Sequence, residues 1–164
     1  MRRILALSAA ALIASASTSA LAAPASVSVT VGPKLEKTFA KTYGDREAKL
    51  LTADLQKSVE TALAKSGAHD GARIELVLTD VKPNRPTFKQ MADTPGLSMQ
   101  SFGVGGAAIE GRIVSAGGAE TPVKYSWYET DIRQSYANWV WHDAEWTFDR
   151  FARRLAKGEE VASR

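Results

Sequence analysis

Two stretches of this 164-residue chain combine residue types and spacings that could do chemistry. The first, residues 103–108 (GVGGAA), fits the letters of the dinucleotide fingerprint G-x-G-x-x-A. That fingerprint turns from a strand straight into a helix, whose first amides hold a pyrophosphate. Here the glycines close a long irregular stretch, and the residues after Ala108 alternate as a strand does. No helix N-terminus follows, so no cofactor is expected. The glycines are read instead as backbone needing unusual dihedrals or a bulge on the way into a strand. The second stretch, "WVWHDAEW", places His142 beside Asp143 and Glu145. An imidazole and a carboxylate on one helix N-terminus suit acid–base work in a small hydrolase or lyase, or part of an oxygen-rich metal site. The competing reading has Asp143 capping the helix and Glu145 in its first turn, where the dipole favours an anion. Capping is preferred; the hydrolase or lyase stands as the alternative function.

The remaining chemical inventory is thin. His69, in "SGAHDGA", falls in a polar turn and is expected to face solvent. The motifs G-x-S-x-G, S-x-x-K, H-E-x-x-H and the phosphate-binding G-x-x-x-x-G-K-[ST] do not occur. With no cysteine there is no disulfide, thiolate metal site or thiol nucleophile. No catalytic or metal-binding residue is assigned.

Binding residues are easier to nominate. Residues 82–107, between two strand-like segments, hold three of the six prolines and four of the twelve glycines. Loops of more than about 12–15 residues are uncommon inside compact domains and are often functional. Asn84, Arg85, Phe88, Gln90 and Phe102 are the candidates on it, with the Arg85 fork suited to a carboxylate of a ligand or of its own domain. Nine aromatics, including all four tryptophans, cluster from Tyr125 to Phe151. Trp139 and Trp141 lie in irregular backbone, where an indole can stack on a sugar ring, anchor a partner protein or plug the end of the fold. On the last helix Arg150, Arg153, Arg154 and Lys157 form a basic stripe, read as a solvated face rather than a site for anionic envelope polymers.

These side chains need a scaffold, and the periodicity supplies one. Residues 26–31 alternate as a strand. Leu35, Phe39 and Tyr43 make a short amphipathic turn. Asp45 is expected to cap a helix over 46–66, in which Leu51, Leu55, Val59 and Leu63 recur every fourth residue before Gly67. Strands follow at 73–81, 108–116 and 121–131, the last two joined at Gly117-Gly118. A final helix over 143–157 buries Ala144, Phe148, Phe151, Ala152 and Leu155. The order β-α-β-β-β-α implies an α+β two-layer sandwich: a mainly antiparallel four-stranded sheet with helices on one face.

The N-terminus sets the compartment. Arg2 and Arg3, an apolar run and Ala20-Leu21-Ala22 make a secretory signal peptide over residues 1–22. Its removal leaves one domain over 23–158 and a frayed tail over 159–164. Taking away Arg2 and Arg3 also reduces the formal surplus of 21 basic over 18 acidic residues to one. That disfavours nucleic acid as a partner. No later segment reaches the length of a membrane span.

"DVKPNRPTFKQMADTPGLS", "GVGGAAIEGRIV" and "WHDAEWTFDRFARRLAKG" together resemble an uncharacterised family of secreted proteins of Gram-negative bacteria. The resemblance covers most of the chain after the signal. It implies an envelope location and a domain of unknown function, with no catalytic residues to carry over. The expectation is a non-enzymatic periplasmic binding or envelope-assembly module whose partner is an envelope protein or a glycan.

Overall fold

The computed structural model describes residues 26–159 and residue 161. The segment over residues 1–22 expected to be a signal peptide lies outside the described residues. The fold is α+β: an open, four-stranded mixed sheet in the order β1-β2-β3-β4 with helices packed on it. The strands are β1 (Ser26–Val31), β2 (Arg73–Lys82), β3 (Gly106–Val114) and β4 (Glu120–Tyr128).

β1 and β2 run parallel, with Val27 opposite Ile74. Parallel neighbours need a long crossover. Here it is α1 (Pro33–Thr38), a π-turn over Phe39–Tyr43, and α2 (Asp45–Ser66). β2–β3 and β3–β4 are antiparallel, and the β3–β4 hairpin turns through Ser115–Ala119 with Gly118 at φ 83°.

The helix over α2 forms where the fourfold leucine spacing places it. Leu51, Leu55, Val59 and Leu63 are each fully buried, worth about 1.5–3 kcal/mol apiece. Gly67 ends the helix in the left-handed region, its N–H donating to the Leu63 carbonyl. The start differs from expectation. Asp45 is the first helical residue, and Gly44, at φ 102°, stands at the cap with no side-chain bond.

β2 shows why one face is buried. Ile74, Leu76 and Leu78 point into the core, a bulge follows between Leu78 and Asp80, and the buried position then moves to Val81. The extra residue inverts the alternation. β3 begins at Gly106 and β4 ends at Tyr128, so both differ by two or three residues from the expected bounds.

The last helix, α4 (His142–Ala156), covers β3 and β4 beside α2, burying Ala144, Phe148, Phe151, Ala152 and Leu155. Asp143 does not cap it. Trp141 is the cap residue and makes no side-chain bond there; the Asp143 carboxylate is directed elsewhere. Residues 82–107 are not wholly irregular, for α3 (Phe88–Asp93) lies within them. Beyond α4, Val161 is buried and its carbonyl accepts the Lys124 N–H at 2.6 Å, beside the exposed edge of β4.

Candidate functional site

The long loop is braced from below by one asparagine and one aspartate. Asn84 and Asp143 are 1% and 3% exposed. The Asp143 carboxylate accepts from Asn84 Nδ2 at 2.5 Å, Gly105 N–H at 2.8 Å and Asn138 Nδ2 at 3.2 Å. In return the Asp143 N–H donates to Asn84 Oδ1 at 2.9 Å. Asn84 also donates its N–H to the Val140 carbonyl and receives the Gly103 N–H on its own carbonyl. Four segments therefore meet at one buried point: residues 83–87, residues 103–105, the irregular stretch before α4, and the start of α4.

The glycines of GVGGAA serve this junction. A Cβ on Gly105 would lie 2.7 Å from the Lys82 carbonyl oxygen and 2.8 Å from Asn84 Oδ1. Gly106 has φ 151°, and a Cβ there would lie 2.3 Å from the Trp127 carbonyl oxygen. The chain passes directly into β3, so no helix N-terminus faces a phosphate here.

Arg85 is a second brace. Its Nε donates to the Asn138 carbonyl at 2.5 Å and Nη1 to the Met99 carbonyl at 2.6 Å, while Nη2 donates to the Tyr136 carbonyl. Its guanidinium also lies 5.8 Å from the Phe102 ring centroid. The fork grips backbone of its own domain rather than any carboxylate. Gln90 is likewise occupied, completing a capping box with Thr87 that starts α3.

Above these braces lies a groove of about 170 Å³ between α2, α3 and the Trp139–Trp141 segment. Trp141 is buried at its floor, its indole N–H donating to Glu47 Oε2 at 2.6 Å and its ring meeting Tyr43 edge-on at 5.6 Å. Phe88 and Trp139 stand on the rim, 78% and 51% exposed. Met99 separates this groove from a second concavity lined by Arg85, Gln100, Phe102 and Tyr136. There Phe102 and Tyr136 meet edge-to-face at 5.6 Å, both exposed.

Of the residues nominated from sequence, Phe88, Trp139 and Trp141 come together on one groove, and Arg85 with Phe102 on the adjoining one. Asn84 and Gln90 hold the scaffold. Leu50, Met91, Met99 and Tyr136 were not nominated, yet Leu50 and Met91 line the first concavity, Tyr136 the second and Met99 both. Leu50 breaks the fourfold spacing of its helix, which marks it as off the buried stripe. The two methionines beyond Met1 both fall in the loop, and such pliant side chains recur on adaptable surfaces.

The alternative acid–base constellation does not converge. His142 is exposed, whereas Asp143 is buried and faces Asn84, Gly105 and Asn138. Glu145 accepts the Trp139 indole N–H at 3.1 Å. Burial raises the Glu145 carboxyl above its ordinary range, partly offset by that N–H and reinforced by Asp54 and Asp149. His69 differs from expectation too: it is half-buried at φ 61°, with Nε2 3.1 Å from the Leu155 carbonyl oxygen. Burial and a bond to Asp80 at 2.5 Å hold the Tyr128 phenol far above its ordinary range. It is therefore a donor and not a base. Among the described residues no group of three or more His, Cys, Asp or Glu is placed to hold a metal ion.

No family model and no curated protein matches the chain. Among solved structures it is similar to the crystal structure of a minor lipoprotein from Acinetobacter baumannii, at 12% identity and a TM-score of 0.32. That match covers 80% of this chain and 88% of the other. A likeness of that degree carries no functional argument. Among the described residues no helix is long and apolar enough to cross a membrane.

Proposed function

We propose that this chain is a non-catalytic binding or assembly module of the bacterial envelope, acting in the periplasm through the paired concavities above the loop. One observation carries the reading. Large apolar side chains are held at the surface by a base that is itself buried and fully hydrogen-bonded. A loop serving only to connect β2 to β3 has no need of such a base, nor of Phe88 and Tyr136 in solvent. The envelope location is carried by the signal-like N-terminus and by the resemblance noted from sequence.

A protein partner suits the groove better than a glycan. Sugar recognition adds several hydrogen bonds to the ring hydroxyls, but of the polar side chains lining this groove, Arg46, Glu47 and Thr87, the last two already hold bonds within the fold. Thr87 Oγ accepts from Gln90, and Glu47 accepts from Trp141. Apart from Arg46 what remains is apolar, and about 170 Å³ is room for one large side chain. The test is capture of envelope proteins by the wild-type chain and by Phe88→Ser/Trp139→Ser. The specific partner is expected to fall at least tenfold on the variant, while N-acetylglucosamine oligomers bind neither form. Identical partner profiles for the two would rule the groove out.

A further inference from the structure

We propose that the outer face of α4 is a docking surface for an anionic phospholipid membrane. It is separate from the groove and independent of the function assigned to it. Trp146, Arg150, Arg153 and Lys157 follow one another at i, i+4, i+7 and i+11, opposite the buried Phe148, Phe151 and Leu155. Trp146 is 43% exposed. The guanidiniums of Arg150 and Arg153 lie 5.4 and 5.8 Å from its ring centroid, and Arg150 also sits 4.7 Å from that of Trp127 on β4. Arg154 lies 5.4 Å from the Tyr125 ring.

Stacking on rings holds the planar forks in place without neutralising them. The carboxylates nearby are accounted for. Glu159 lies 3.8 Å from Arg154 and 3.7 Å from Lys157. Asp149 accepts from Ser58 on α2 and Glu145 from Trp139, and both line a concavity between α2 and α4 that Arg153 borders. Among the described residues neither Arg150 nor Arg153 has a carboxylate within ion-pair distance.

The geometry selects the partner. Arg153 borders that concavity, whereas Trp146, Arg150 and Lys157 stand outside it on the outer side of the helix, a face that suits a broad surface rather than an enclosed small ligand. Its cations call for negative charge, and its half-exposed indole calls for an apolar layer immediately beneath that charge. A bilayer interface supplies both, with tryptophan settling at headgroup level. A soluble polyanion supplies only the charge.

The experiment is co-sedimentation of the chain from Ala23, which retains every element of the fold, with phosphatidylglycerol/phosphatidylcholine vesicles and with phosphatidylcholine alone. Binding is expected to the anionic vesicles only, and to be lost in 0.5 M salt, where screening is short-ranged, about 4 Å. Each arginine removed should lower partitioning about fivefold, so Arg150→Gln/Arg153→Gln should lose about 25-fold. Lys34→Gln/Lys37→Gln, removing the same charge on α1, should bind within about twofold of wild type. Arg150→Lys/Arg153→Lys keeps the charge without the stacked fork and should stay within about threefold, which separates lost charge from lost packing. Quenching by brominated lipid should disappear in Trp146→Phe. Equal binding to neutral vesicles, undiminished binding by the double glutamine variant, or binding to dextran sulfate but not to vesicles would each overturn the proposal.

Discussion

Asp143 is a buried carboxylate whose three donors come from three different parts of the chain, and it shows what single residues contribute here. Breaking one side of such an arrangement costs more than the bond itself, because the charge stays buried with a vacant acceptor site. Asn84→Leu should therefore destabilise the fold by about 3 kcal/mol, read as a shift in the urea midpoint. The glycines allow a finer comparison. Gly105→Ala would push a methyl into the Lys82 carbonyl and Asn84, at a cost of about 2 kcal/mol. Gly103→Ala meets nothing within 4 Å and should change stability by less than about 0.5 kcal/mol. Equal effects in the two variants would refute the assignment of Gly105 to the junction. The GVGGAA run was legible from sequence as backbone adaptation, but which glycine mattered was not. That depends on Asn84 and Asp143, distant in sequence. The same distance hid what Asn84 and Arg85 bond to within the fold. Their polarity was readable, whereas the carbonyls and carboxylate that occupy them were not.

At the scale of elements, α2 and α4 announce themselves because each buries a periodic stripe several turns long. α3 has only six residues and no buried one, so hydrophobic period could not find it. Its one sequence signal is the Thr87-x-x-Gln90 capping box, a local pattern that does not depend on burial. The packing of α2 against α4 also has an electrostatic consequence. Asp54 on α2 and Glu145 on α4 are both raised above the ordinary carboxylate range, chiefly by burial. A raised carboxyl binds its proton more tightly in the folded state. Its contribution is fully present below the unfolded-state pKa and is lost as pH rises through the folded-state value. Glu145→Gln should thus match the parent near pH 4 and become the more stable form as pH approaches 7. Urea midpoints taken side by side across that range would show the gap. Glu75, held low mainly by bonds to Arg112 and Arg73, and Asp131, held low by Arg133, act with the opposite sign at lower pH. They titrate alike in both proteins and cancel from the comparison. A gap that shrinks towards neutral pH would contradict the burial argument.

Across the whole molecule, the aromatic residues divide between holding the fold and furnishing its surface. Sequence located the cluster but could not divide it, since Trp139 and Trp141 differ by two positions in irregular backbone. In the fold Trp141 is enclosed by Tyr43 and Glu47 beneath the groove, while Trp139 remains half in solvent. The division predicts opposite outcomes for similar substitutions. Trp141→Ser removes a fully buried indole and strands Glu47 without its donor, costing about 3–5 kcal/mol. Phe88→Ser/Trp139→Ser removes two larger exposed surfaces and should leave the unfolding free energy within about 1 kcal/mol of wild type. The double variant should still lose the binding that the groove confers. Thermal melts of the two variants beside a partner-capture assay would separate the roles. A double variant as unstable as Trp141→Ser would mean that Phe88 and Trp139 act as core, and the groove would then be packing rather than a contact surface.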